Sequence, residues 1–322
     1  MRAPTFWYRH GLISTLLAPF GWIWAVGARR RAAKPPMHRS PIPVVCIGNI
    51  TAGGAGKTPI ALSIAQLIPG AHFLSKGYGG SEVGPLRVDP QRHSYQQVGD
   101  EPLLLAEMAP CWVAKNRIDG AEAAAAAGAS CLVMDDGFQD PSLEKDISIL
   151  VVDGGSGFGN GHCMPAGPLR EPVEVGLKRA DVVVILGEDR HGIASLVAPK
   201  PVLRAWLEPE AEASVLSGRK VVAFAGIGRP AKFFHTLDHL GANLVEAYAF
   251  PDHYPFHPQE IHELTVAAQN HAAFLVTTGK DFVRVPVGQR DHIGVVQMDV
   301  AWEDEKALLD ALAPALGHMP HL

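Results

Sequence analysis

Near-continuous apolar runs recur along the chain at Ile42–Ile47, His72–Ser75, Cys111–Ala114, Ser130–Met134, Ile147–Val152 and Asp181–Leu186. Alternating hydrophobicity would mark strands with one wet face, whereas continuous runs imply strands buried on both faces. Between them lie helical patterns at 59–68, at Pro102–Met108 and in the Ala-rich Ile118–Ala127. This alternation predicts an α/β fold built on a doubly wound parallel sheet. The stretch 201–219 carries Pro201 and Pro209 with little helical pattern and reads as a connector. Beyond it the α/β pattern restarts, with strand Lys220–Ala225, helix near 230–239, strand near 243–250, helix near 258–270 and strand Ala273–Thr277. The expected organisation is an N-terminal helical segment (1–34), a larger α/β domain (35–200), the connector and a second, smaller α/β domain (220–322).

The N-terminal segment stands apart. From Gly11 to Gly27 there is no charge, and Arg2, Arg9, the cluster Arg29-Arg30-Arg31 and Lys34 flank the stretch. It falls short of the roughly 20 apolar residues that cross a bilayer, and Pro19 and Gly21 interrupt it. A signal peptide would end in a small-residue cleavage site, not an arginine cluster. Trp22 and Trp24 suit the headgroup level and the arginines suit anionic lipid, so the expectation is a retained membrane-associated helix, with interfacial and spanning placements both open.

At 322 residues with 47% hydrophobic content, the chain can bury a sizeable core. Its 28 basic against 33 acidic residues provide no global positive field, so nucleic acid is not an expected partner and any anionic substrate must meet local Lys and Arg. Cys46, Cys111, Cys131 and Cys163 have no CxxC spacing, so neither disulfides nor a zinc site are expected, which suits a reducing compartment.

Candidate chemistry begins where the first strand ends, in GNITAGGAGKTP (48–59). Gly53, Gly54, Ala55 and Gly56 would let backbone N–H groups approach a phosphate chain at a helix N-terminus. Lys57 would reach the β/γ-phosphates of ATP and Thr58 would ligate Mg²⁺. The usual pattern has glycine six residues before the lysine; here Thr51 stands there. The strand Leu132–Met134 ends in Asp135-Asp136, where a phosphate-loop fold places its metal-holding acid. Asp100 opens a helix and reads equally as a cap or as a catalytic base. His253 lies in a polar turn, FPDHY. Lys76, Lys115, Arg117 and Arg170 occupy loops of the kind that build sheet-edge anion sites.

In this order GNITAGGAGKTP, SKGYGG, VGDEP, the Arg117 segment, DDGFQ (135–139), PAGPLREP (165–172), AFAGIGRPAKFF (223–234), FPDHY (250–254) and TTGKD (277–281) closely resemble the tetraacyldisaccharide 4′-kinases of lipid A synthesis, from the N-terminal segment to about residue 284. The resemblance implies a P-loop kinase that transfers the ATP γ-phosphoryl group to the 4′-hydroxyl of a tetraacylated glucosamine disaccharide 1-phosphate. It places that reaction at the cytoplasmic face of the inner membrane, with no obligate protein partner expected. It further implies Asp100 as base supported by His253, and Asp135, Asp136 and Thr58 in the metal and catalytic region, with Glu171 as a further metal ligand. Tyr78, Arg117, Lys76 and Arg170 are the implied substrate contacts, Arg117 as a bidentate clamp on the 1-phosphate. The chain departs from the family pattern at Asp140, Lys76 and Gly279, where His, Arg and Glu are frequent. A P-loop kinase or ATPase acting on another acceptor is the alternative. A partitioning-type ATPase would carry a signature lysine where this chain has Ala52.

Overall fold

The computed structural model describes residues 4–317, so Arg2 of the N-terminal cluster lies outside the described residues. The strands are β1 (Val44–Gly48), β2 (Ala71–Ser75), β3 (Leu86–Arg87), β4 (Cys111–Val113), β5 (Cys131–Asp135), β6 (Ile147–Asp153), β7 (Val182–Leu186), β8 (Val202–Pro209), β9 (Lys220–Ala225), β10 (Asn243–Ala249), β11 (Phe274–Thr278), β12 (Ile293–Val296) and β13 (Met298–Trp302). Among the described residues they form a nine-stranded sheet, order β13-β8-β7-β6-β1-β5-β2-β4-β3, and a four-stranded sheet, order β10-β9-β11-β12. The large sheet is parallel from β8 through β4, while its edge strands β3 and β13 run antiparallel. The small sheet is parallel throughout.

Why continuous apolar runs were needed is visible in the packing. Val45 and Ile47 of β1 join Val133, Ile149 and Val184 in one core, against Ile60 and Ile64 of the following helix. Val44 and Cys46 point the opposite way, joining Leu132, Met134, Leu150 and Val183 against Ala121 and Ala124. Because successive side chains alternate faces, a strand covered on both sides reads as a near-continuous apolar run, and polar residues buried within it, such as Ser148, are few. The small sheet repeats the scheme, with Val221 and Ala223 on one face and Val222 and Phe224 on the other.

Two boundaries differ from expectation. The supposed connector contains β8, which pairs with β7 inside the large sheet. The last segment does not stay with the small domain either. β13 pairs with β8, and the helix Glu305–Leu316 buries Leu308, Leu312 and Leu316 in the first core beside Ile60 and Ile64. The chain thus leaves the large lobe once, builds the small one from β9 to β12, and returns.

The helix α1 (Leu12–Ala32) lies on the surface of the large lobe. Ser14, Gly21 and Ala25 are its buried residues; a Cβ at Gly21 would come within 2.8 Å of the Cys163 carbonyl oxygen. Trp24 Nε1 donates to the Arg170 carbonyl at 2.8 Å and Arg29 pairs with Glu174. The other side leaves Leu12, Ile13, Leu16, Phe20, Trp22 and Ile23 exposed. Among the described residues α1 alone is long and apolar enough to cross a membrane.

Candidate active site

The phosphate loop joins β1 to the helix α2 (Lys57–Gln66). Gly56 has φ +81°, and a Cβ there would meet Leu186 Cδ2 at 2.1 Å, so only glycine lets the chain turn into α2. The segment 165–172 pins the loop from the side: Ala52 N–H donates to the Pro168 carbonyl and Arg170 N–H to the Ile50 carbonyl, both at 2.7 Å. Buried Asn49 donates to the Thr51 carbonyl at 2.8 Å and accepts from Lys57 Nζ at 3.4 Å. Lys57 Nζ also lies 3.6 Å from Asp136 Oδ1.

The two carboxylates at the end of β5 have different surroundings. β1 and β5 are neighbours with Ile47 opposite Asp135, which brings Asp135 Oδ2 within 3.1 Å of Thr58 Oγ1. Its other oxygen is buried without a hydrogen-bond partner. Burial, then the charge of Glu101, pushes the Asp135 pKa up to about 7, against the pull of Lys57. Asp136 sits in a left-handed conformation, φ +54°, and takes Arg170 Nη1 at 2.9 and 3.2 Å. Burial opposes its ionisation, but Lys57 and Arg170 outweigh it and hold the pKa below the ordinary carboxylate value.

Asp100 and His253 come from different lobes and meet. Asp100 opens the helix Asp100–Ala106, which packs under the phosphate-loop side of the sheet, and His253 follows β10 in the small lobe. His253 Nδ1 lies 2.8 Å from Asp100 Oδ2. Burial works against the Asp100 charge, yet the hydrogen bond from His253 and the charges of His253, Arg284 and Lys280 leave its pKa lowered. The same hydrogen bond raises His253, with burial opposing. Beside the pair, Lys280 Nζ contacts Glu101 Oε1 at 2.7 Å, Arg284 Nε lies 3.6 Å from Asp100 Oδ2 and Arg229 reaches Asp153 at 3.5 Å, so with the His253 bond four polar contacts between described residues link the lobes here.

Two expected site residues are otherwise engaged. Arg117 is not free to clamp a phosphate: it is buried, donating to the Leu74 and Asp136 carbonyls at 3.4 and 3.3 Å, with Asp140 at 3.3 Å. It braces the backbone on which Asp136 turns. Glu171 is buried, with one carboxylate oxygen on Gln139 and the other on Arg179, so in this structure it serves as an anchor for those two side chains. Tyr78 and Lys76 are exposed, while Arg170 is half-buried on Asp136. Asn49, Gln139, Lys280 and Arg284 shape the site without having stood out in the sequence as site residues. TTGKD flagged the neighbourhood of the last two, but nothing in one sequence says which lobe a lysine faces.

A family model described as tetraacyldisaccharide-1-P 4′-kinase matches residues 13–317. The chain belongs to that family. A tetraacyldisaccharide 4′-kinase of Rhodospirillum rubrum is 51% identical over 99% of this chain and 100% of its own length. One from Paramagnetospirillum magneticum is 49% identical over 98% of this chain and 99% of its own. The solved LpxK of Aquifex aeolicus, crystallised in complex with ATP, superimposes with a TM-score of 0.79 at 26% identity, covering 95% of this chain and 100% of that one. This kinase therefore shares the fold of an LpxK solved in complex with ATP.

Proposed function

We propose that this kinase transfers the γ-phosphoryl group of ATP to the 4′-hydroxyl of a tetraacylated glucosamine disaccharide 1-phosphate, working at the surface of the inner membrane. The observation that carries the acceptor chemistry is the Asp100–His253 hydrogen bond, 2.8 Å long, assembled between the lobes at the start of the helix Asp100–Ala106. A P-loop alone would serve any NTPase; a paired carboxylate and imidazole beside it serve a hydroxyl acceptor.

The residues divide the work. Backbone N–H groups of Gly53–Gly56 and the ammonium of Lys57 hold phosphate oxygens. Thr58 and Asp135 fit a divalent cation, because a buried carboxylate oxygen without a partner beside a hydroxyl is the donor set such an ion takes. Mg²⁺ held there would neutralise charge on the β- and γ-phosphates. Asp136, kept ionised by Lys57 and Arg170, fixes those two cations toward the transferred group. Asp100 orients the 4′-hydroxyl and takes its proton, and His253 holds the carboxylate in place. A carboxylate with lowered pKa is a weak base, which suits phosphoryl transfer: in a loose transition state the nucleophile keeps its proton until late, so orientation outweighs base strength. Tyr78 and Lys76, exposed at the loop after β2, are available to the sugar headgroup. The exposed apolar face of α1 brings the kinase to the lipid.

Radiolabelled γ-phosphate from ATP, supplied with a tetraacyldisaccharide 1-phosphate in detergent micelles and Mg²⁺, tests this directly. Labelled bisphosphorylated lipid should form with the intact protein and fall by about 100-fold or more with Asp100→Asn. ATP hydrolysis that depends on Lys57, without labelled lipid, would point to a different acceptor.

A further inference from the structure

We propose that Arg284, braced by Asp281, is a positioning residue that holds the Asp100–His253 pair in register across the two lobes. The inference rests on the kinase reading above and adds a residue to it. Arg284 has a side chain only 2% exposed and lies two turns beyond the end of β11, past the helix Gly279–Phe282. Its Nη1 donates to the carbonyls of Gly226 and Tyr254 at 3.3 and 3.2 Å, its Nη2 to Gly226 at 3.2 Å and to Asp281 Oδ1 at 2.9 Å, and its Nε to the Lys280 carbonyl at 3.1 Å. That Nε also lies 3.6 Å from Asp100 Oδ2, the oxygen that takes His253.

The Gly226 peptide is the hub. Its carbonyl accepts from Arg284 and from the His253 N–H, the latter at 3.0 Å, while its N–H donates to Asp281 Oδ1 at 2.8 Å. His253 itself has φ +57°, a conformation that a non-glycine residue keeps only when its surroundings over-determine it. Arg284 supplies that determination on both sides, through Gly226 before the turn and Tyr254 after it. One planar guanidinium thus grips the turn that carries the imidazole and touches the carboxylate it must meet. Lysine, a point charge without the fork, keeps the charge but not the grip. The groups facing Asp100 are His253 from the β10 turn, Arg284 and Lys280 from the segment after β11, and Glu101 of its own helix, with Asp281 behind Arg284. Of these, Arg284 and Lys280 favour the ionised carboxyl without being able to accept its proton at working pH.

The test is lipid phosphorylation as a function of pH for the wild type, Arg284→Gln, Arg284→Lys and Asp281→Asn, each checked for folding by circular dichroism. Arg284→Gln should lower kcat by about 100-fold, the scale of a misplaced catalytic group. It should also move the acid limb of the profile to higher pH. Arg284→Lys should return that limb toward the wild-type position while kcat stays depressed. Asp281→Asn should lower kcat in the same direction, and with Arg284→Lys it decides the matter should Arg284→Gln not fold. A folded variant whose acid limb and kcat match the wild type overturns the proposal, as does a loss of stability with kcat intact. Should the wild type label no lipid, the kinase reading fails on its own. The positioning role is then read from ¹³C titration of the Asp100 carboxyl, assigned by its loss in Asp100→Asn: an unchanged titration in Arg284→Gln overturns it, and a raised one in Arg284→Gln that Arg284→Lys brings back toward the wild-type value upholds it.

Discussion

A single hydrogen bond between lobes decides much of the site's behaviour, because both of its partners titrate. The folded pKa of His253 is raised, so its contribution to stability is complete below its unfolded value near 6.5 and is lost as pH rises through the folded value. The folded pKa of Asp100 is lowered, so its contribution is present above the unfolded value near 3.9 and is lost as pH falls through the folded one. The pair therefore stabilises the folded protein most between about pH 4 and 6.5. Melting temperatures of wild type and His253→Ala should differ most near pH 6 and draw together as pH rises through the raised folded value of His253; a difference independent of pH would show that His253 contributes by packing alone. Little of this was readable in the sequence. Asp100 served equally well there as a helix cap, and a lone histidine in a turn carried no information about a partner 153 positions away. Arg117 shows the same limit from the other side: its burial follows from the Leu74 and Asp136 carbonyls, which only the tertiary fold brings to it.

At the scale of elements, pattern was a good guide wherever burial was uniform. β1, β5, β6, β7 and β9 were evident as apolar runs because both of their faces are covered. β8 and β13 were missed because β13 is the sheet's edge and β8 lies next to it, where burial is patchy, and β8 ends at Pro209. The helix α1 inverts the ordinary rule, placing small residues against the protein and large apolar ones outward. Gly21 and Ala25 let it lie close to the Cys163 carbonyl, and Leu16 and Phe20 are 76% and 59% exposed. Each such side chain gains about 1.5–3 kcal/mol on leaving water, so Leu16→Glu with Phe20→Glu should reduce binding to anionic phospholipid vesicles by about 100-fold or more in sedimentation assays. The melting temperature should barely move, since neither residue packs on the protein. Unchanged vesicle binding would remove α1 as the membrane-facing element. Gly21→Leu supplies the contrast, because it should detach the helix from the large lobe and leave its apolar face intact.

The whole molecule is two α/β lobes joined by a chain that crosses twice, at Pro209–Lys220 and at Val296–Met298, and the second crossing changes how stability is shared. A small lobe hung on one linker could drift freely. Here the outgoing and returning strands are neighbours: β8 leaves the large sheet and β13 comes back to pair with it, Trp302 opposite Ala205. Trp302 Nε1 then donates to Ser63 Oγ of α2 at 2.9 Å, which ties the returning chain to the helix that begins at the phosphate loop. Sequence continuity suggested that residues after 220 belong together. What it could not show is that Leu308 and Leu312, 0% and 1% exposed, fill the face of the large sheet that Ile60 and Ile64 leave open. This assignment has a clean spectroscopic test, since the chain has no tryptophan between residues 220 and 297, so tryptophan emission reports on the large lobe and α1. Leu312→Ala removes a fully buried side chain from that lobe and should lower its unfolding free energy by about 2–5 kcal/mol. The tryptophan-detected denaturant midpoint should fall accordingly. If the last helix belonged to the small lobe, that midpoint would hold and only a probe placed between β9 and β12 would move. The lobe that carries the phosphate loop would then be complete without its C-terminal segment, and the two crossings could no longer be what keeps Asp100 and His253 facing each other.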